Sequence, residues 1–80
     1  MEERILDLIE HLTQIEEDTA VPRNIREKIR KAIAALEEEK EFKIKANKAL
    51  QELDDISDNP NVPSYIRPQI WNVVSMLESA

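Results

Sequence analysis

The sequence predicts an all-α protein, an antiparallel four-helix bundle made of two helix–turn–helix repeats. Three observations carry that expectation. Apolar residues recur at three- and four-residue spacing along most of the chain, the period of one helical face. The sequence aligns with itself without a gap at a shift of 41 residues. The turns fall at two Val-Pro pairs, and the 80-residue chain, one domain on its length, has no glycine at all.

In the first expected helix, Ile5, Leu8, Ile9, Leu12 and Ile15 make one apolar stripe. Its Glu16-Glu17-Asp18 end is electrostatically poor for a helix C-terminus, so fraying is expected there. Asp18 to Pro22 form the turn, with Pro22 suited to the first helical position, where a missing N–H loses nothing. Ile25, Ile29, Ile33 and Leu36 form the second stripe, running to about Glu39. No glycine or proline separates Leu36 from Leu50, so one long helix competes with a break near Glu38–Glu41. The break is favoured because Glu37-Glu38-Glu39 offers no apolar position, and because the repeat requires residue 43 to behave like residue 2. The second unit has Leu50, Leu53 and Ile56, a turn over Asp58 to Pro63, and then Ile66, Ile70, Val74 and Leu77. Pro68 has no counterpart in the first unit. It costs little if Ser64 caps the last helix, and kinks that helix if it starts at Pro63.

The self-alignment places Leu12 on Leu53, Ile15 on Ile56, Val21-Pro22 on Val62-Pro63, Ile25-Arg26 on Ile66-Arg67 and Leu36-Glu37 on Leu77-Glu78. A shared apolar period explains the aliphatic matches by itself, but not the Val-Pro and the Ile-Arg that follows. The expected limits are one domain over 1–80, with unit one at about 2–39 and unit two at about 43–80.

Composition narrows the function classes. Hydrophobic residues make up 41% and charged residues 35%, too apolar for a disordered segment and too charged for a membrane one. The longest apolar run, Ala32 to Leu36, is far short of the ~20 residues that span a bilayer. The start Met1-Glu2-Glu3-Arg4 is not a signal-peptide pattern, so a cytoplasmic location is expected. Without glycine, neither a Walker-type loop nor a dinucleotide fingerprint exists here. Without cysteine there is no disulfide, zinc–thiolate or thiol chemistry.

Candidate chemistry is thin. His11 is the single histidine, with no positioned nucleophile near it in sequence, and reads as a partly solvated boundary residue. The acids Glu16-Glu17-Asp18, Glu37-Glu38-Glu39 and Asp54-Asp55-Asp58 read as solvated faces and helix ends. Leu8, three before His11, rules out the inward Glu-x-x-His of bundle metal sites. The expectation is therefore no enzyme, with no catalytic, cofactor or metal residues.

Two surfaces remain. Net charge is −6, yet Arg23, Arg26, Lys28, Arg30 and Lys31 cluster against a single Glu27. Arg23, Arg26 and Arg30 share one helical face and are the candidate phosphate contacts, although base-stacking aromatics are missing. Arg26 and Arg67, matched by the repeat, are expected to pair with acids at the helix ends, such as Asp18 or Asp58. The other surface is Tyr65, Trp71 and Met76, which replace Asn24, Arg30 and Ala35 of the first unit. Helical spacing sets Tyr65 and Met76 on one flank and Trp71 on the other. Trp71 either seals a small core or anchors a partner.

The period and the turn, Asp or Asn followed by Val-Pro and Ile-Arg, resemble a distant HEAT-type repeat in architecture. More closely, Glu17 to Arg26, together with Asn59 to Pro63 and Ile70-Trp71-Asn72, resembles the small archaeal uncharacterised protein family 0147 over essentially the whole chain. Arg67-Pro68 departs from that pattern, where a small or polar residue is usual after the arginine. The resemblance implies a four-helix fold, an archaeal cytoplasmic source and no known activity, and it brings no functional residues. The leading expectation is a protein–protein interaction or assembly module with a protein partner or a homo-oligomeric state and no membrane. The alternative is an accessory protein of an RNA-containing assembly.

Overall fold

A computed structural model of the chain describes residues 3–79, so the expected unit limits at Glu2 and Ala80 lie outside the described residues. Four helices follow one another: α1 (Glu3–Glu16), α2 (Arg23–Leu36), α3 (Phe42–Ser57) and α4 (Arg67–Glu78). Among the described residues there is no strand.

Each apolar stripe becomes a buried seam. Ile5, Leu8, Leu12 and Ile15 of α1 are buried, as are Ile25, Ile29, Ala32 and Leu36 of α2. α3 contributes Ala46, Ala49, Leu53 and Ile56, and α4 contributes Ile70, Val73, Val74 and Leu77. Val21, Val62 and Ile66 add to the same cluster from the turns, and no polar side chain is buried among the described residues. The helices close into a ring. α1 packs on α2 and α4, and α3 packs on the same two, while the diagonal pairs do not approach at the backbone; the α2–α3 seam is the most extensive. Burial of one stripe per helix is what drives this arrangement, since helices of 12–16 residues are marginal alone.

The chain breaks between α2 and α3, so the single long helix is not formed. The Glu37 N–H closes back onto the Ile33 and Ala34 carbonyls, and Glu37 to Glu41 cross to α3. Every described residue has negative φ, so the turns need no glycine.

The two longer turns are built by the same bonds, 41 residues apart. Ala20 N–H donates to Asp18 Oδ1 at 2.9 Å, and Asn61 N–H donates to Asn59 Oδ1 at 2.9 Å. Val21 N–H reaches the Asp18 carbonyl and Val62 N–H the Asn59 carbonyl, both at 3.1 Å. Ile25 and Ile66 then donate to the carbonyls of Pro22 and Pro63. This is an Asx turn, in which a short side chain mimics the backbone. Pro22 sits just before the first helical residue, at φ −56° and ψ 149°, not within the helix.

The last helix differs. α2 starts directly after Pro22, but α4 starts at Arg67, beyond both Pro63 and Ser64, and Ser64 to Ile66 form a turn. Pro68 has no N–H to donate to Ser64, so the helical ladder cannot begin there. It sits instead in the first turn of α4, where a backbone N–H would have no helical partner anyway.

Candidate partner interface

Two features define what this surface can do: which of its charges are already engaged inside the chain, and which apolar side chains are not. Arg67 shows the first. Its guanidinium donates through Nη1 to the Ser57 carbonyl at 3.0 Å and through Nη2 to the Asn59 carbonyl at 2.8 Å. The expected partner, the Asp58 carboxylate, is not used. A planar fork suits two carbonyls set two residues apart where α3 gives way to the turn, Ser57 at the helix end and Asn59 just beyond it. Arg26 occupies the matching place in the first unit but is not its equal: its Nε is buried with no hydrogen-bond partner. The expected pairing with Asp18 is not formed, because that carboxylate faces elsewhere.

Asp18 Oδ1 accepts from Ala20 N–H, and Oδ2 accepts from the Tyr65 hydroxyl at 2.8 Å. The Ala20 N–H first, and the Tyr65 hydroxyl second, hold the Asp18 carboxyl below the usual carboxylate range. The same bond, by favouring the protonated phenol, raises the Tyr65 hydroxyl.

The other candidate phosphate contacts also have intramolecular partners. Arg23 Nε lies 3.5 Å from Glu27 Oε1, and Arg30 Nε lies 3.6 Å from Glu16 Oε1. Lys28 bridges to α3, 2.8 Å from Asp55 and 3.6 Å from Glu52. Its bond to Asp55 raises the ammonium above its ordinary value. On the same α2–α3 side, Glu38 takes both Lys48 at 2.9 Å and Lys40 at 3.3 Å, and the Lys48 bond holds its carboxyl down. On the basic face predicted for α2, Arg23, Lys28 and Arg30 are therefore held in ion pairs at the surface, while Arg26 is not. His11 is exposed, its Nδ1–H donating to the Asp7 carbonyl one turn earlier. No group of three or more His, Asp or Glu is placed to hold a metal ion among the described residues.

The apolar candidates separate. Trp71 is 58% exposed and does not seal the core. Tyr65 is 52% exposed but its hydroxyl is committed to Asp18, and Met76 is half-buried against the core. Helical spacing does not join Tyr65 to Met76, because Tyr65 precedes the helix. The three residues are not one patch.

Sequence reasoning missed a groove between α3 and α4. α3 and α4 run antiparallel: Arg67, opening α4, bonds the end of α3, while Leu77 and Glu78, closing α4, lie beside Phe42 and Lys43 at the start of α3. Between them is an open groove of about 320 Å³, floored by Phe42, Ala46, Leu50 and Leu77 and rimmed by Lys43 and Glu78. Arg4 of α1 stacks over Phe42, 4.9 Å from the ring centre. Trp71 lies one turn beyond Arg67 and two before Glu78, so it stands on the same side of α4 as the groove. The signal was present in the sequence. Ala46 and Ala49 stand where the first unit has Ile5 and Leu8, and smaller side chains on α3 leave the seam less filled.

A ring of four short helices, with short turns and, among the described residues, surface ion pairs on α1, α2 and α3, is a small all-helical scaffold. The chain belongs to the Uncharacterised protein family UPF0147, whose model matches residues 1–80. It is similar to the UPF0147 protein of Pyrococcus furiosus, with 46% identity over 80 residues, covering 98% of this chain and 86% of that one. The relative from Sulfurisphaera tokodaii is 43% identical over 79 residues, covering 98% and 89%. The crystal structure of the unknown-function protein MMP1188 superposes with a TM-score of 0.92 at 44% identity, covering 98% of this chain and 90% of that one. Among the described residues no helix is long and apolar enough to cross a membrane.

Proposed function

We propose that this chain is a non-catalytic protein–protein interaction or assembly module of the cytoplasm that meets its partner through the α3–α4 face. The exposure of Trp71 carries this reading. Its 58% exposure leaves much of a large apolar ring in water. Tryptophan is the residue type over-represented at interface hot spots, and burying one removes 150–250 Å² from solvent. The alternative, phosphate contact through Arg23, Arg26 and Arg30 within an RNA-containing assembly, has less support. Arg23 and Arg30 already have carboxylate partners, and the overall charge of −6 opposes approach to a polyanion.

Affinity purification from a related archaeon with the full chain as bait, wild type beside Trp71→Ala and Arg23→Glu/Arg30→Glu, tests this. A protein retained by the wild type and the arginine variant but lost with Trp71→Ala is expected. Retention that ignores Trp71 and disappears with the arginines would overturn the proposal in favour of the alternative.

A further inference from the structure

We infer that the partner of the α3–α4 face is a second copy of this chain, the two Trp71 rings exchanged between the two grooves across a two-fold axis. The inference rests on reading the Trp71 face as an interface, and it names the occupant.

A two-fold dimer requires a self-complementary surface, in which residue i meets j and j meets i. This face carries both halves of such a contact. The open groove of about 320 Å³ has room for a side chain. Trp71, the ring that needs cover, stands on the same side of α4 as that groove. Along α4, Trp71 is six residues from Leu77 at the groove floor, about 9 Å at 1.5 Å per residue. One chain therefore cannot place its own Trp71 into its own groove without breaking α4. A second copy turned through two-fold symmetry does so twice.

Charge placement points to the same occupant. Lys43 and Asp54 are eleven residues apart on α3, three helical turns, so both stand on the groove side of that helix, about 16 Å apart. Both are exposed, and among the described residues neither enters an ion pair. Lys43 rims the groove, while Asp54 is level with the Trp71 end, because α4 is antiparallel to α3. The two-fold that exchanges Trp71 with the groove also exchanges the two ends of α3. It sets Lys43 of each copy against Asp54 of the other. At the groove end Lys43 stands with Glu78, and at the Trp71 end Asp54 stands with Arg67, so each end carries both signs and the same two-fold turns Glu78 of each copy towards Arg67 of the other. Ends that carry both signs limit the like-charge repulsion that a chain of net charge −6 meets when it pairs with itself.

Sedimentation velocity and Trp71 emission on the purified full chain, followed over a dilution series, test this directly, since the chain has one tryptophan. The expected result is a dimer at high concentration whose emission shifts to the red as it dissociates. Trp71→Ala, with unchanged helical circular dichroism, should weaken the dimer by about thirtyfold or more, the scale of a hot-spot residue. Lys43→Glu and Asp54→Lys singly should each weaken it by at least about tenfold, and the double swap should restore it. A wild-type chain that stays monomeric throughout overturns the second-copy assignment, as does a dimer indifferent to Trp71 or a double swap that fails to recover. The purification above separates the two failures. Trp71-dependent retention of a different protein keeps the interaction reading and replaces the occupant, whereas no Trp71-dependent retention removes both.

Discussion

Replacing Arg67 by alanine should destabilise the fold far more than the matched replacement of Arg26. Arg67 donates two charge-assisted bonds, to the Ser57 carbonyl at 3.0 Å and the Asn59 carbonyl at 2.8 Å. Bonds to charged groups contribute about 1.5–3 kcal/mol each, and here water reaches the vacated carbonyls, which favours the lower end. The expected loss is about 2–3 kcal/mol. Arg26 holds the same place in the first unit, but its Nε is buried without a partner. An unpaired buried N–H costs about 1–3 kcal/mol, so truncation relieves a penalty while losing the packing of the stem, for a net change within about 1 kcal/mol. In a domain of this size 1 kcal/mol moves Tm by about 4–8 °C, so Arg67→Ala should melt roughly 10–20 °C lower and Arg26→Ala within several degrees of wild type. Arg67→Lys keeps the charge without the fork and should recover less than half. Urea unfolding with unchanged slope supplies the free energies. An Arg26→Ala loss equal to that of Arg67→Ala, or an Arg67→Lys chain as stable as wild type, refutes the reasoning.

Tyr65→Phe removes one donor from the Asp18 carboxylate, so carbon NMR titration should find the Asp18 carboxyl moved up towards its ordinary value. A depressed carboxyl lends stability that is present above the unfolded value near 4 and lost as pH falls through the folded one. A raised phenol lends stability that is present below about 10 and lost as pH rises through its folded value, so the variant should flatten both limbs of the stability–pH profile. Pro68→Ala should change stability by no more than about 0.5 kcal/mol, because a proline in the first helical turn loses no bond. A gain approaching 3 kcal/mol on thermal unfolding would instead place Pro68 inside a helix that begins earlier.

How much of this was legible in the sequence depended on whether a property was local. The four stripes follow from spacing alone, and Ile5, Leu8, Leu12 and Ile15 all reach the core. The Asx turns were visible as Asp18 and Asn59 two residues before Ala20 and Asn61, once the Val-Pro pairs had fixed the register. The start of α4 was narrowed but not fixed, because both Pro63 and Pro68 limit it and only the Ser64 to Ile66 turn satisfies the two together. The partner of Arg67 was read as a carboxylate because charge dominates a sequence-level argument. In three dimensions the guanidinium meets backbone carbonyls where α3 passes into the turn, which no residue letter records. Trp71 stayed ambiguous for a related reason. A residue at a stripe's edge is covered or bare according to how far its helix is rotated, and that is set by the neighbouring helix.

That rotation gives the departure between the two halves of the chain a physical meaning. Arg30 and Trp71 stand at matched positions, as do Glu16 and Ser57. In the first half the pair is an ion pair, Arg30 to Glu16 at 3.6 Å, on a flank that water solvates well. In the second half the cation has become an indole, its carboxylate partner has become a serine, and Ile5 has become Ala46 on the helix beside it. Each change alone costs the isolated chain something: an exposed ring, a lost ion pair, a less filled seam. Core filling offers no compensation, since Trp71 is the most exposed of the large apolar side chains described, and the groove lined by Ala46 is open to the surface. All three changes fall on one side of the α3–α4 seam. Together they convert a charged flank into a ring and a groove within about 9 Å of each other, and a surface so altered lowers the free energy of the chain only when something else covers it.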